Sequence, residues 1–170
     1  IYGAIEINKG NLFIDSQDIT SITKYQIPSV RRKIGMIFQD FKLLNDRTIF
    51  ENVALPLQIE GVKGEIINDK VKNILSRIKL KKQSYKYPEE LSGGEQQKVC
   101  VARALIKKPK IILADEPTGN LDPSASDDII DLFEEESKEG MTVIMATHNY
   151  PLIEDRIQNF IELNNGKLVS

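Results

Sequence analysis

Two short apolar runs in the second half of the sequence constrain the fold most. Residues 111–115 read IILAD and residues 142–147 read TVIMAT. Neither run has the alternation of polar and apolar residues that marks a strand with one face in water. A helical pattern, with apolar residues three and four positions apart, lies between them at residues 124–138. We therefore predict an α/β domain with a mainly parallel sheet whose strands are buried on both faces.

Other segments extend this pattern towards both ends of the chain. Further strands are predicted at residues 35–39 and 160–163, and further helices at 48–58, 65–80 and 95–107. Between residues 39 and 111 the pattern gives about three helical segments and no clear strand. We therefore expect one domain over residues 1–170, with a helical subdomain at residues 41–91 inserted in its sheet.

The composition excludes several classes of protein. The 170 residues carry a formal net charge of −2, so no non-specific electrostatic binding to nucleic acid is expected. The one cysteine, Cys100, cannot form an internal disulfide, and its apolar neighbours indicate inert packing. No run approaches the roughly 18 apolar residues of a membrane-spanning helix. The chain is thus expected to be a soluble domain that binds anions locally and could still dock on a membrane protein.

Polar residues that could take part in catalysis or ligand binding follow three of the predicted strands. They are Gln39, the adjacent pair Asp115 and Glu116, and His148. Ligands of open parallel sheets bind at the carboxyl ends of strands, so these residues mark the expected site. The two carboxylates could instead cap the following turn, but adjacent like charges are costly unless a cation or a reacting proton uses them. The pair suits phosphoryl transfer, with Asp115 holding Mg²⁺ through water and Glu116 polarising the attacking water.

His148 and Gln39 are weaker signals when each is taken alone. A histidine or glutamine at a strand end is more often structural than catalytic. Beside Glu116, however, His148 becomes a candidate for contacting a transferred phosphate, and Gln39 a candidate ligand of metal or water.

Residues 91–97, LSGGEQQ, place two adjacent glycines before a helical pattern. One interpretation is a flexible loop ahead of a helix that starts near Glu95 and is capped by Ser92. The other is that backbone N–H groups at the helix N-terminus bind an anion such as phosphate. Gly93 and Gly94 would then lack side chains so that phosphate oxygens can approach the main chain.

Five motifs together resemble those of ATP-binding cassette (ABC) ATPases. LSGGEQQKVCVARAL (91–105) resembles their signature motif, IILADE (111–116) their Walker B strand, PTGNLD (117–122) their D-loop, IGMIFQD (34–40) their Q-loop and MATH (145–148) their switch-histidine strand. The resemblance implies a P-loop NTPase-like, three-layer domain with an inserted helical subdomain. It also implies a homodimer that forms on ATP binding, with two ATP molecules and Mg²⁺ at the interface.

The resemblance assigns roles to individual residues. It implies catalytic roles for Glu116, His148 and Gln39, and Mg²⁺ binding, through water, by Asp115 and Gln39. It further implies that one set of residues contacts the nucleotide of the neighbouring subunit: Ser92, Gly93, Gly94, Glu95, Gln96 and Asp122.

Within the family, the sequence is most similar to a branch of cell-division, lipoprotein-release and macrolide-export ATPases. The stretch IGMIFQDFKLLNDRTIFENVALPL (34–57) is most similar to the cell-division member. This implies a peripheral subunit on the cytoplasmic face of the bacterial inner membrane, which works with a membrane subunit to control peptidoglycan hydrolysis. The alternatives are a lipoprotein-release or macrolide-export ATPase, or a degenerate module that binds a partner without hydrolysing ATP.

One family motif is missing from the sequence. The missing motif is the P-loop, GxxxxGK followed by Ser or Thr. None of the ten glycines lies in such a pattern, and the only Gly-Lys pair, Gly166-Lys167, precedes a leucine. Residues 1–3 resemble the last turn of the P-loop helix. We therefore expect an N-terminally truncated domain that lacks roughly 30 residues or more and is inactive alone.

Overall fold

A three-stranded parallel sheet forms the centre of the computed structural model, which describes residues 7–119, 121–149, 153–156 and 159–169. Its strands are β3 (Ile34–Ile37), β4 (Ile111–Asp115) and β5 (Thr142–Ala146), in the order β3-β4-β5. Two short antiparallel hairpins lie outside this sheet: β1 (Phe13–Ile14) with β2 (Gln17–Asp18), and β6 (Leu163–Asn164) with β7 (Lys167–Leu168). The α/β class and the parallel sheet are confirmed.

Helices connect and cover the sheet. They are α1 (Ile27–Arg32), α2 (Ile49–Ile59), α3 (Gly64–Arg77), α4 (Gly93–Leu105) and α5 (Pro123–Lys138), with 3-10 helices at Lys81–Gln83 and Pro88–Glu90. The four predicted helices are confirmed, with ends that differ by at most a few residues. Between β3 and β4 the chain is helical and has no strand. The bounds of the helical subdomain, 41–91, stay a prediction.

Side-chain caps mark the starts of α2, α4 and α5. Thr48 precedes α2 and forms a reciprocal capping box with Glu51, whose Oε2 accepts from the Thr48 backbone N–H at 2.8 Å. Asp122 precedes α5, and its Oδ1 accepts from the Ala125 N–H at 3.0 Å. Such caps satisfy backbone donors that a helix leaves unpaired at its start.

Helix α4 packs on the sheet at a glycine. A Cβ placed on Gly35 would lie 2.4 Å from Ile112 Cδ1 and 2.9 Å from the carbonyl oxygen of Ala104. Only a residue without a side chain allows α4 to come this close to β3. The main hydrophobic core lies on this face of the sheet, between β3–β5 and helices α2–α5.

The prediction that residues 142–147 are buried on both faces is wrong. Along β5 exposure alternates, and Ile144 is 43% exposed. On this second face a smaller core, which includes Val30 of α1 and Ile34, covers only one end of the sheet. Among the described residues nothing covers Ile144, so a run that is apolar throughout has one face in contact with solvent.

The predicted strand at residues 160–163 is also wrong. Instead of joining the parallel sheet, the chain forms the β6–β7 hairpin around Asn165 (φ +49°) and Gly166 (φ +74°). Two successive positive φ angles match the type I′ turn that Asn-Gly favours. The β1–β2 hairpin, with positive φ at Asp15 and Ser16, was not predicted. The expectation for residues 1–3 lies outside the described residues.

None of the helices in the described part of the chain is long and apolar enough to span a membrane.

Candidate functional site

The parallel register brings the predicted residues to one edge of the sheet. Ile37 of β3 is paired with Ala114 of β4, and Asp115 with Ala146 of β5. Gln39 follows β3 in a turn and is exposed. The carboxyl ends of the three strands therefore meet where ligands of such sheets bind.

Glu116 and His148 are in direct contact at this edge. One carboxylate oxygen of Glu116, Oε1, accepts from the His148 backbone N–H at 2.9 Å and lies 2.7 Å from His148 Nδ1. The other, Oε2, accepts from the Thr147 hydroxyl at 3.2 Å. Because an ionised carboxylate only accepts hydrogen bonds, Nδ1 carries the proton in this contact. The His148 side chain is 81% exposed and that of Glu116 only 17%. The imidazole therefore lies between solvent and the hydrogen-bonded carboxylate of Glu116.

The backbone of Glu116 is strained. Its φ of +44° lies in the left-handed region, which is costly for a residue with a side chain. Its N–H donates to the Ala146 carbonyl at 2.9 Å, and its carbonyl accepts from the Gly119 N–H at 3.2 Å. These hydrogen bonds fix the turn that directs the Glu116 side chain towards His148.

Asp115 has different neighbours from Glu116. It is exposed and lines a hollow of about 200 Å³ on the open face of the sheet, beside Met36, Leu113 and Ile144. The described residues contain no cluster of three or more acidic, histidine or cysteine side chains that could hold a metal ion by themselves. One exposed carboxylate at a strand end fits Mg²⁺, which usually keeps several waters and takes other ligands from substrate phosphates.

The glycine-containing motif forms the start of α4. Ser92 is its N-cap, as predicted, in a capping box with Glu95: Glu95 Oε2 accepts from the Ser92 N–H at 2.9 Å, and the Ser92 hydroxyl accepts from the Glu95 N–H at 3.3 Å. Gly93 is the first residue of the helix. Gln96 donates to the Leu91 carbonyl at 3.2 Å. Ser92 is therefore confirmed as the cap, but the two glycines lie in the first turn of the helix rather than in a flexible loop before it.

Gly94 has a structural reason to lack a side chain. A Cβ at this position would lie 3.2 Å from the Cβ of Ala125 and 3.9 Å from Leu121. The glycine thus permits close packing of α4 against α5 within one chain. The approach of a phosphate to Gly94, a second reason for a glycine at this position, stays a prediction.

The starts of α4 and α5 surround a second hollow of about 200 Å³. Its lining residues are Ser92, Gly94, Glu95, Lys98, Asp122, Ser124, Ala125 and Asp128. The positive dipole ends of two helices meet here, together with three carboxylates, those of Glu95, Asp122 and Asp128. Lys98 donates to Asp128 at 2.6 Å, and this hydrogen bond lowers the pKa of the Asp128 carboxyl.

Three residues of this region were not predicted from the sequence. Thr147, which donates to Glu116, lies within the MATH motif but was not singled out. Lys98 and Ser124 line the hollow and carry no sequence signal of their own. Cys100 is buried as expected, and burial raises the pKa of its thiol to about 12, so the thiol stays protonated and inert.

Comparison with known proteins identifies the family. Residues 1–119 match the ABC transporter family. The chain is 46% identical to the cell division ATP-binding protein FtsE of Haemophilus influenzae over 99% of its own length and 77% of that protein. It is 42% identical to FtsE of Bacillus subtilis, over 99% of the chain and 74% of that protein.

A solved structure supports the same assignment. The dimeric post-hydrolysis state of an ATP-binding cassette bound to ADP and Pi superposes with a TM-score of 0.77 at 34% identity. The match covers 85% of this chain and 65% of that cassette, so the chain spans slightly less than two thirds of it. The chain therefore belongs to the ABC transporter family of ATP-binding cassette ATPases and is a homologue of FtsE.

Proposed function

We propose that the chain works as the ATPase subunit of an FtsE-type complex on the cytoplasmic face of the bacterial inner membrane. In this proposal it couples ATP hydrolysis, through the membrane subunit FtsX, to control of peptidoglycan hydrolysis in cell division. The contact between Glu116 and His148 at the strand ends carries the proposal. Identity of 39–46% with FtsE proteins from several bacteria supports the choice of complex.

Glu116 is the proposed general base. Its carboxylate is held by two neighbouring residues, His148 and Thr147, and is partly accessible, so it can accept a proton from a water that attacks the γ-phosphate of ATP. The exposed His148 imidazole can contact the γ-phosphate. Asp115 and Gln39 would hold Mg²⁺ through water, and the ion would neutralise charge on the phosphates.

The start of α4 is proposed to serve a nucleotide held by a second subunit. Ser92, Gly93, Gly94, Glu95 and Gln96 lie in its first turn or directly before it, and Asp122 caps the adjacent α5. Backbone N–H groups at two neighbouring helix starts suit a γ-phosphate that approaches from outside the chain. An ATP-dependent homodimer would complete each site in this way.

ATP binding by the 170-residue chain tests one part of the proposal. We expect calorimetry to show no micromolar binding, because the 170 residues contain no P-loop to supply charge-assisted hydrogen bonds to phosphate. Two such bonds are worth about 3–6 kcal/mol, on the order of 10²–10⁴ in affinity. The comparison is a chimera that carries the P-loop segment of an FtsE relative ahead of residue 1, which should bind and hydrolyse ATP. Micromolar binding by the 170-residue chain alone would contradict this expectation.

A further inference from the structure

The segment between β3 and α2, residues 38–48, has a strained backbone directly after Gln39. We call it the Gln39 loop. Phe41 (φ +61°) and Lys42 (φ +51°) are consecutive residues in the left-handed region. Neither is a glycine, so each pays a steric cost that its surroundings must offset.

Arg103, on the last turn of α4, donates to both strained residues. Its guanidinium donates to the Lys42 carbonyl at 2.6 Å and to the Phe41 carbonyl at 2.8 Å. The Cys100 thiol, one turn earlier on α4, donates to the same Phe41 carbonyl at 3.0 Å. These contacts orient two backbone carbonyls that the left-handed conformation turns towards α4.

The charge of Arg103 has no carboxylate partner among the described residues. Arg103 is only partly buried, and this burial lowers the pKa of its guanidinium. A partly buried guanidinium that only carbonyl oxygens contact gains no ion pair, and a lysine cannot reproduce its planar geometry with two parallel donors. Arg103 therefore contributes two hydrogen bonds from one planar group rather than an ion pair.

A second buried polar side chain holds the other half of the Gln39 loop. Asn52 of α2 is fully buried, and its Oδ1 accepts from the Leu44 N–H at 2.8 Å. Its amide group donates to the carbonyls of Leu44, Arg47 and Thr48 at 3.0–3.1 Å. The Gln39 loop is therefore held from two different helices.

We propose that Arg103 is a positioning residue that fixes the Gln39 loop, and with it Gln39, relative to α4. The residues proposed to contact a second subunit's nucleotide, here called the trans-acting motif, lie at the start of α4, and the same helix packs on β3 at Gly35. A single helix therefore joins this motif to the strand that precedes Gln39. A shift of α4 would then be transmitted to Gln39 through two hydrogen bonds. The role given to Gln39 rests on the proposed function, whereas the constraint on the loop does not.

Hydrogen exchange of the 170-residue chain tests the constraint. Arg103→Met should speed exchange of the Phe41 and Lys42 amides by about ten- to a hundredfold, the effect of losing hydrogen bonds to a charged group, whereas the Leu44 amide, which Asn52 holds, should change less. Arg103→Lys should restore part of the protection, because one ammonium can reach one carbonyl. Lys107→Met is the matched control, since Lys107 donates to the Arg32 carbonyl at 2.6 Å away from the loop. It should leave residues 41–47 unchanged.

Unchanged exchange at Phe41 and Lys42 in a folded Arg103→Met variant would overturn the proposal. If that variant does not fold, Arg103→Lys decides alone, and wild-type protection in it would overturn the proposal equally. In the P-loop chimera, Arg103→Lys should lower kcat while the KM for ATP stays the same, because Gln39 is displaced and the phosphate-binding residues are not. An inactive chimera with altered exchange would refute the proposed function and leave the positioning role intact.

Discussion

Replacing Glu116 with glutamine should lower ATP turnover of the P-loop chimera about 10²- to 10⁴-fold, the usual cost of losing a positioned general base. The substitution is structurally mild. The amide oxygen can still accept from the His148 N–H, and the amide nitrogen can donate to the Thr147 hydroxyl, which is also an acceptor. What the amide cannot do is accept a proton from water. ATP binding should therefore persist.

Single-turnover phosphate release and nucleotide binding, measured on the same preparation, check this prediction. Glu139→Gln is the control, because Glu139 is an exposed carboxylate at the end of α5, away from the strand ends. It should leave turnover unchanged. An unchanged kcat in Glu116→Gln would move the role of base to another residue, with His148 as the first candidate.

Replacing Gly35 with alanine should lower the free energy of unfolding by about 1–3 kcal/mol, the usual cost of overpacking a core. The new methyl group would lie 2.4 Å from Ile112 Cδ1, which can change rotamer, and 2.9 Å from the Ala104 carbonyl, which can move only with α4. Since α4 carries the proposed trans-acting motif at its other end, the displacement should also impair any function of that motif.

Urea denaturation of the 170-residue chain measures this effect. Gly64→Ala is the matched control, because a Cβ at Gly64 would meet no atom within 4 Å and its backbone is not left-handed. That substitution should be neutral or should stabilise by about 0.4–1 kcal/mol through the unfolded chain. Equal stability of the Gly35 and Gly64 variants would mean that α4 does not pack on β3 as described.

The sequence predicted the elements whose signals are local. Helices α2 to α5 have apolar residues at helical spacing, and α2 and α4 also have the polar caps Thr48 and Ser92, so their positions followed from the pattern. Strand β4 was predicted with its observed ends, because Ile112 and Ala114 lie in the core and Asp115 ends the run. The placement of Glu116 and His148 at the same end of the sheet followed from the rule that parallel strands end at one edge, whereas their direct hydrogen bond was not predicted.

What the sequence could not predict depends on tertiary neighbours. An apolar run such as β5 indicates burial, but it does not show whether a layer covers each face. The turn at Asn165 and Gly166 had a recognisable signal that the apolar run before it obscured. The packing of Gly94 on Ala125 and the contact of Arg103 with the Gln39 loop join segments distant in sequence, and no local pattern reveals them.

We propose that residues 91–97 of this chain act on a nucleotide held by another subunit. A chain without a P-loop would still complete one of the two sites in a mixed dimer, because its contribution to that site comes from the start of α4, including Ser92, Gly93 and Gly94, and from Asp122. The partner would supply the P-loop, the carboxylate pair and the histidine. Activity should then appear only when the two chains are mixed.

Phosphate release from such a mixture measures whether residues 91–97 have this role. The partner is an intact FtsE relative whose own signature glycines are mutated, so that it is inactive alone. Adding the 170-residue chain should restore ATPase activity, and Gly94→Asp should abolish the gain, since a carboxylate there would repel the γ-phosphate in a poorly solvated interface. Gly94→Ala separates charge from packing, because its methyl group meets Ala125 at 3.2 Å without adding charge, and it should keep more of the gain. No restored activity with a 170-residue chain shown to be folded by circular dichroism would contradict the account.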